Sequence, residues 1–428
     1  MKKTYAIAAA FILLSILLLT GCNKNESPIS PDEPDAVQEN AEDTPQPTGD
    51  LKLITRSNGL MSSGYAATED GIYFAERDDS GEASHLEYID FSTAKRIYLS
   101  NQLDVTFDEA NPGWLGQNNG CFTMTDGEYL YIYYSWQTAT NTPPKFVQAD
   151  LTGTNRKELV VSEMTEVRGG SAVASKGGVL YYLADDYNSM QETNAAVALY
   201  AADFNKMSVE KVAEISKQSF AFIVGTYKNF LLIQAASPTE GLWQTALYDI
   251  EKKEFGEHAL VYDMRKTERI ASENIIYYAE DTENVLKAFD LLTGEERVLA
   301  DLSSYYDGIG AGLAFDNEIH DGRLMLSFYN GGGGPFRCIS IDLTTAELKE
   351  FGLSYDGPFG MEFARIMAAN SEYYYVLGAS EMLTVQRMGP DGGTVEETMK
   401  DYVGLLIKIE DYWNSNPQYI PIIDTRNP

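Results

Sequence analysis

Three of the chain's four tryptophans, Trp114, Trp136 and Trp243, fall in segments that read as long loops. Tyr187, Tyr305, Tyr306, Tyr329, Phe336, Tyr355 and Phe359 join them there, with the acids Asp185, Asp186, Asp307 and Asp356. Flat apolar rings stack against a ligand while carboxylates fix its orientation, a combination suited to sugars or peptides. Rings of this kind also cover strand ends as ordinary packing, so the set carries this reading rather than any one residue. Two stretches repeat a local word, Tyr306-Asp307-Gly308-Ile309-Gly310 and Tyr355-Asp356-Gly357-Pro358-Phe359-Gly360. Their glycines permit tight turns; the pattern reads either as a structural turn or as a pair of carboxylates, Asp307 and Asp356, facing one another across an opening.

Other chemistries find little support. His85, His258 and His320 are far apart with no paired-ligand spacing, which argues against zinc, and no metal site is expected. Neither a Gly-x-Ser-x-Gly elbow nor a His-Glu-x-x-His motif occurs. Asp78-Asp79-Ser80-Gly81 and the Asp104 to Glu109 stretch are too incomplete for a calcium loop. Asn330-Gly331-Gly332-Gly333-Gly334-Pro335 lacks the spacing of a phosphate cradle and does not precede a helix. No catalytic residue and no cofactor are predicted, although a pair of carboxylates for glycoside cleavage is set by space rather than by sequence spacing.

The elements that must hold these loops repeat. Seven short apolar-aromatic strands, at 71–76, 128–135, 178–184, 229–235, 274–280, 322–328 and 372–378, are each followed by a further strand and a turn. The turns are Asp90-Phe91, Asp150-Leu151, Asp203-Phe204, Asp249-Ile250, Asp290-Leu291, Asp342-Leu343 and, in degenerate form, Pro390-Asp391-Gly392. Successive aspartates lie 41 to 60 residues apart, the period of one four-stranded blade. The repeated strands are apolar on both sides, as Tyr129 to Tyr133 shows, which suits a sheet sandwiched between two neighbouring sheets. Small residues such as Ala66-Ala67, Ala172-Val173-Ala174 and Ala368-Ala369 suit innermost strands, where blades converge. The prediction is an all-β, seven-bladed β-propeller of four-stranded antiparallel blades over 51–428, with eight blades as the alternative. The ends leave two closures open: Leu51 to Arg56 reads as a strand able to complete the last blade, and 402–409 and 419–423 offer further strands at the other terminus. The long loops all emerge on one face, where a functional site is expected.

The stretch from Tyr133-Tyr134-Ser135 to Lys145-Phe146-Val147-Gln148-Ala149-Asp150-Leu151-Thr152-Gly153 resembles the repeat of the YWTD-type propellers of lipoprotein receptors. Leu286-Lys287-Ala288-Phe289-Asp290-Leu291-Leu292-Thr293-Gly294 is similar to repeats of TolB-like and quinoprotein-like propellers. The resemblance covers roughly residues 60–400 and implies the fold. The full Tyr-Trp-Thr-Asp motif is absent, so no ligand-binding residue of those families is carried over.

Lys2 and Lys3 precede an uncharged stretch ending in Leu19-Thr20-Gly21-Cys22. This has the build of a secretory signal over 1–21 rather than of a membrane span. Small residues before a cysteine resemble the bacterial lipoprotein box, which implies cleavage before Cys22 and acylation of its sulfur and new amino terminus. Two or three acyl chains anchor a protein stably, which gives an expected place on the extracytoplasmic face of a cell membrane. Residues 22–50 carry five prolines and eight acids against one lysine, the composition of a disordered acidic tether.

The formal net charge of −32 argues against nucleic acid and anionic lipid as partners of the surface. Cys121 and Cys338 fall in different blades and are expected as buried thiols rather than a bridge. Membrane lipid held through Cys22, and a protein, peptide or carbohydrate ligand, are the expected partners. The leading functional expectation is a lipid-anchored propeller that binds through its long-loop face. Its alternatives are a structural subunit of an envelope assembly complex and, behind that, a polysaccharide-active enzyme.

Overall fold

A computed structural model of the chain describes residues 49–425 apart from 57–63, 78–82, 100–110, 112, 118–120, 137–140, 162–164, 187–195, 218–219, 238–240, 281–282, 307–310, 317, 331–334 and 389–393. Cys22, Tyr187 and Asp307 therefore lie outside the described residues.

Seven blades of four antiparallel strands form a propeller ring, two of them carrying extra strands; among the described residues there is no eighth blade, only a separate two-stranded hairpin of Ser354–Gly357 and Gly360–Phe363. Blades 1 to 7 begin with the innermost strands Tyr65–Ala67, Cys121–Thr125, Ala174–Lys176, Ala221–Tyr227, Thr267–Ser272, Ala311–Phe315 and Arg365–Ala369. Three further strands follow in chain order in each, stepping outward from the hub. The second strands are the buried ones: Leu130, Tyr131, Ile132 and Tyr133 of Tyr129–Tyr134 are at most 2% exposed. Covered by a sheet on each side, such a strand has no polar face to present, which explains its continuous apolar sequence. Where tyrosine is used, its hydroxyl can also stitch blades together. Tyr131 donates to Asp126 Oδ2 at 2.8 Å, and Ser175 of blade 3 donates to the same oxygen at 3.1 Å.

The aspartates end third strands. Asp290 Oδ1 accepts the Leu292 and Thr293 amides, and Asp342 Oδ1 those of Thr344 and Thr345. Asp203 and Asp249 do the same. A carboxylate that accepts backbone N–H groups two and three residues on fixes the turn into the fourth strand. These amides hold the Asp342 carboxyl below its usual range. In blade 5 the turn closes on Gly294 at φ +71°, where an added Cβ would fall 2.7 Å from His258 Nδ1.

Blade 7 departs from the repeat. Its second and third strands, Tyr373–Met388 and Thr394–Lys408, form one long hairpin that extends well beyond the blade. Pro390-Asp391-Gly392 falls between them, outside the described residues, and is not the turn into the fourth strand. A short helix, Ile409–Trp413, takes that place, with Tyr412 donating to the Ala364 carbonyl at 2.8 Å. Residues 402–408 belong to the third strand, and Ile420–Pro421 is the fourth. The extra length makes the strands too long for the regular spacing, which is why the sequence pattern misplaces the turn.

Of the two closures that the sequence leaves open, the N-terminal one is not used. Lys52–Leu53 pairs with Ala174 and Ser175 on the open inner edge of blade 3, not with blade 7. The segment then crosses the hub. Leu51 N donates to the Lys228 carbonyl in blade 4 and Ile54 N to Val173 O, while Arg56 Nη2 reaches Ile366 O in blade 7. Leu51 and Ile54 are buried, so apolar side chains seat the segment as firmly as its hydrogen bonds. Closure falls to the C-terminus: Ile423–Asp424 lies parallel to Lys95 and Arg96 of the outermost strand of blade 1. Either arrangement satisfies the alternation of apolar residues, and only the packing of the whole ring selects one.

Candidate functional site

The seam between blades 4 and 5 is unusual in what it buries. Phe222, Gln234 and Thr245 sit opposite one another on three adjacent strands of blade 4, so their side chains form one row. Two residues further along the same face, Leu232 and Leu247 pack against Ile276 and Tyr278 of blade 5. Gln234 and Thr245 therefore interrupt a wall that is otherwise apolar. Gln234 is 5% exposed, and its Nε2 has no hydrogen-bond partner. A buried amide donor left unmade costs about 1–3 kcal/mol, so its retention calls for an explanation.

Its neighbours are satisfied. Thr245 Oγ1 lies 3.0 Å from the Tyr262 hydroxyl. Arg269, opposite Tyr278 on the inner strand of blade 5, places its guanidinium 4.6 Å from the Tyr262 ring centre and donates to the Thr267 carbonyl at 3.2 Å. Burial pushes the Tyr262 hydroxyl up, and the Arg269 charge opposes it.

Phe222, Gln234, Thr245 and Arg269 line a cavity of about 360 Å³. Gly170, Met264 and Glu268 line it as well, together with Phe315 and Asp316 from the end of the innermost strand of blade 6. A second cavity of about 290 Å³ lies between blades 6 and 7 and shares Phe315 and Asp316 with the first. It is lined by Ser327, Tyr329, Cys338, Tyr355, Glu362 and Arg365 among others. Tyr402 donates to Glu362 Oε2 at 3.1 Å, and the Tyr355 hydroxyl lies 3.5 Å from the same oxygen. Burial pushes the Cys338 thiol up to about 12, so it stays protonated and inert. Cys121 is half-buried rather than buried, and the two cysteines form no disulfide.

The aromatic residues singled out by sequence separate into groups. Tyr329 and Tyr355 line the second cavity. Trp243 stacks on Phe222, 6.0 Å between centres and 17° apart in plane, and so backs the first cavity without lining it. Arg168 lies over the same Phe222 ring at 5.2 Å and pairs with Asp185, whose carboxyl burial raises despite the guanidinium.

Tyr306 packs edge-on against Phe328 at 5.2 Å and belongs to the core between blades 5 and 6. Trp114 pairs opposite His85 on blade 1 with its ring 5.1 Å from the imidazole, and Trp136 follows the second strand of blade 2; neither lines either cavity. Asp356 is exposed and forms an ion pair with Lys400 of the long hairpin. Among the described residues no three metal-ligating side chains converge.

Gln234, Arg269, Asp316, Glu362 and Arg365 were not anticipated. For Gln234 a signal was present: it is the polar residue inside Phe230-Leu231-Leu232-Ile233-Gln234-Ala235-Ala236, where the pattern of second strands calls for an apolar one. The others come together only through the order of the blades.

No protein-family model matches the chain, and a search of curated proteins found no significant match. Solved structures that resemble it do so weakly. The computationally designed Ika8 protein is 14% identical at a TM-score of 0.40, covering 85% of this chain and 98% of its own. An oligogalacturonate lyase from Vibrio parahaemolyticus is 10% identical at 0.40, with 70% and 79% covered. TolB from Acinetobacter baumannii is 13% identical at 0.31, with 79% and 78% covered.

Proposed function

We propose that this protein is a lipid-anchored extracytoplasmic binding protein whose propeller takes a ligand at the hub, in the cavities beneath its long-loop face. The observation that carries the reading is the pair of cavities meeting at Phe315 and Asp316, one of them holding the buried, unpartnered Gln234 amide. A ligand acceptor that completes this amide would supply what the folded chain lacks. Acylated Cys22 and the acidic tether would keep the ring at a membrane while leaving it free to meet ligand.

The binding reading is tested by incubating the full chain, in detergent, with the low-molecular-mass fraction of an envelope extract and following its thermal midpoint. A rise is expected in the wild type and is lost in Phe315→Trp, which fills the wall shared by the cavities. No rise with any fraction would sink the reading. Anchoring is tested separately: Cys22→Ser abolishes labelling by a palmitate analogue and moves the protein out of the membrane fraction.

The long hairpin of blade 7 favours a second reading, a structural subunit of an envelope complex. Met382, Leu383, Val395 and Met399 are exposed along it, and Phe359 beside it is 83% exposed. Apolar side chains gathered on a protruding element suit a protein contact. Stoichiometric partners retained after mild solubilisation, and lost with Leu383→Lys, would favour it.

A further inference from the structure

The cavity between blades 4 and 5 is specific about what enters it, and the argument here rests on the binding role just proposed. Apart from Thr245, whose hydroxyl is engaged with that of Tyr262, its polar side chains offer groups of two kinds. Arg269 only donates, and the Gln234 Nε2 is a donor with nothing to meet. Glu268 and Asp316 only accept when ionised. The remaining lining includes the apolar Phe222, Phe315 and Met264.

Charge narrows the choice. One guanidinium stands against two carboxylates in the lining, within a chain of formal net charge −32, so an anion meets repulsion both on approach and in place. Size narrows it again: about 360 Å³ is at the low end of the roughly 300–1,000 Å³ typical of small-molecule sites. What fits is a compact, uncharged molecule that donates and accepts on neighbouring atoms and also has apolar surface. A pyranose is built that way. Each hydroxyl serves a donor-only or an acceptor-only wall by turning its proton, while the ring C–H groups lie on the aromatic and methionine side chains.

We infer that the cleft bounded by Gln234, Arg269, Glu268 and Asp316 is a binding site for one neutral sugar residue, free or at the end of a glycan. Gln234 is its specificity-determining residue. The amide nitrogen, left out of the Thr245–Tyr262–Arg269 network beside it, donates to a ring hydroxyl or ring oxygen.

The test is calorimetric titration of the full chain in a detergent without a sugar headgroup. The probes are glucose, galactose, mannose and N-acetylglucosamine, with galacturonate as the anionic control and glycylglycine as the zwitterionic one. At least one neutral sugar binds the wild type. Gln234→Leu weakens that binding at least tenfold, while its thermal midpoint stays level or rises because an unmade buried donor has been removed. If the leucine variant fails to fold, Gln234→Met replaces it at similar length. Equal sugar binding by wild type and variant would overturn the inference, as would failure of every neutral sugar to bind. Binding of galacturonate or glycylglycine alone would overturn the neutral-sugar assignment and leave the broader ligand-binding role standing.

Discussion

Arg56 and Glu318 meet in the hub with Nε and Oε1 3.7 Å apart, joining a segment near the start of the folded chain to blade 6. Arg56 is 8% exposed and also donates to the Ile366 carbonyl of blade 7, so a single side chain links the crossing segment to two blades. Burial raises the Glu318 carboxyl while the Arg56 charge opposes this, which makes the carboxylate dependent on its partner.

Replacing Arg56 with Met should therefore destabilise the protein by roughly 1–3 kcal/mol, because it leaves a partly buried acid without its cation and the Ile366 carbonyl without its donor. The double variant Arg56→Met, Glu318→Gln should recover most of the loss. Urea unfolding of the two variants measures the difference, and a double variant no more stable than the single one would contradict the pairing.

His320 Nε2 lies 3.4 Å from Glu318 Oε2, and burial first, then the Arg56 charge, push its imidazole down to about 4. In the unfolded chain it titrates near 6.5, so between these values the unfolded state holds more protons and stability falls as pH drops. The raised Glu318 carboxyl acts in the opposite sense above its ordinary value and partly offsets the loss. His320→Gln should lose less stability than the wild type between pH 7 and 4.5, by about 2 kcal/mol. Denaturant midpoints across that range provide the check.

The C-terminal strand should be what keeps blade 7 on blade 1. Ile423 N donates to Ala94 O at 2.8 Å, and Thr425 donates to Arg96 O through both its amide and its hydroxyl. Removing 420–428 should cost on the order of 3–5 kcal/mol at about 1 kcal/mol per lost bond. Faster amide exchange should appear in Lys95–Tyr98 and Arg365–Ala369 and not in blades 3 to 5. Uniform exchange across the ring would argue against closure at this point.

Asp290→Ala should lower stability by about 1 kcal/mol, since it removes the acceptor of two turn amides, and should leave ligand affinity unchanged. A change in affinity of more than about twofold would mean that the repeated aspartates do more than shape turns.

The repeat was legible because it is local. An aspartate that caps a turn acts over three residues, and a strand covered on both faces must be apolar at every position, so both leave marks that a sequence preserves. Blade 7 shows the limit: a hairpin with strands of 16 and 15 residues has the same alternation as a short one, so the pattern alone does not say which pair of strands a Pro-Asp-Gly stretch falls between.

The candidate site divides along the same line. Aromatic type marked Tyr329 and Tyr355, which line a cavity, and equally Trp114 and Tyr306, which pack against neighbouring rings. Sequence by itself determined the seven-unit, all-β scaffold and the charge that disfavours anionic partners. Tertiary structure decided that Leu51 to Arg56 crosses the hub, that the C-terminus closes the ring, and that Gln234, Arg269 and Asp316 share one cavity. The reason is distance along the chain: these residues come from three blades, and only the closing of the ring gives them common neighbours.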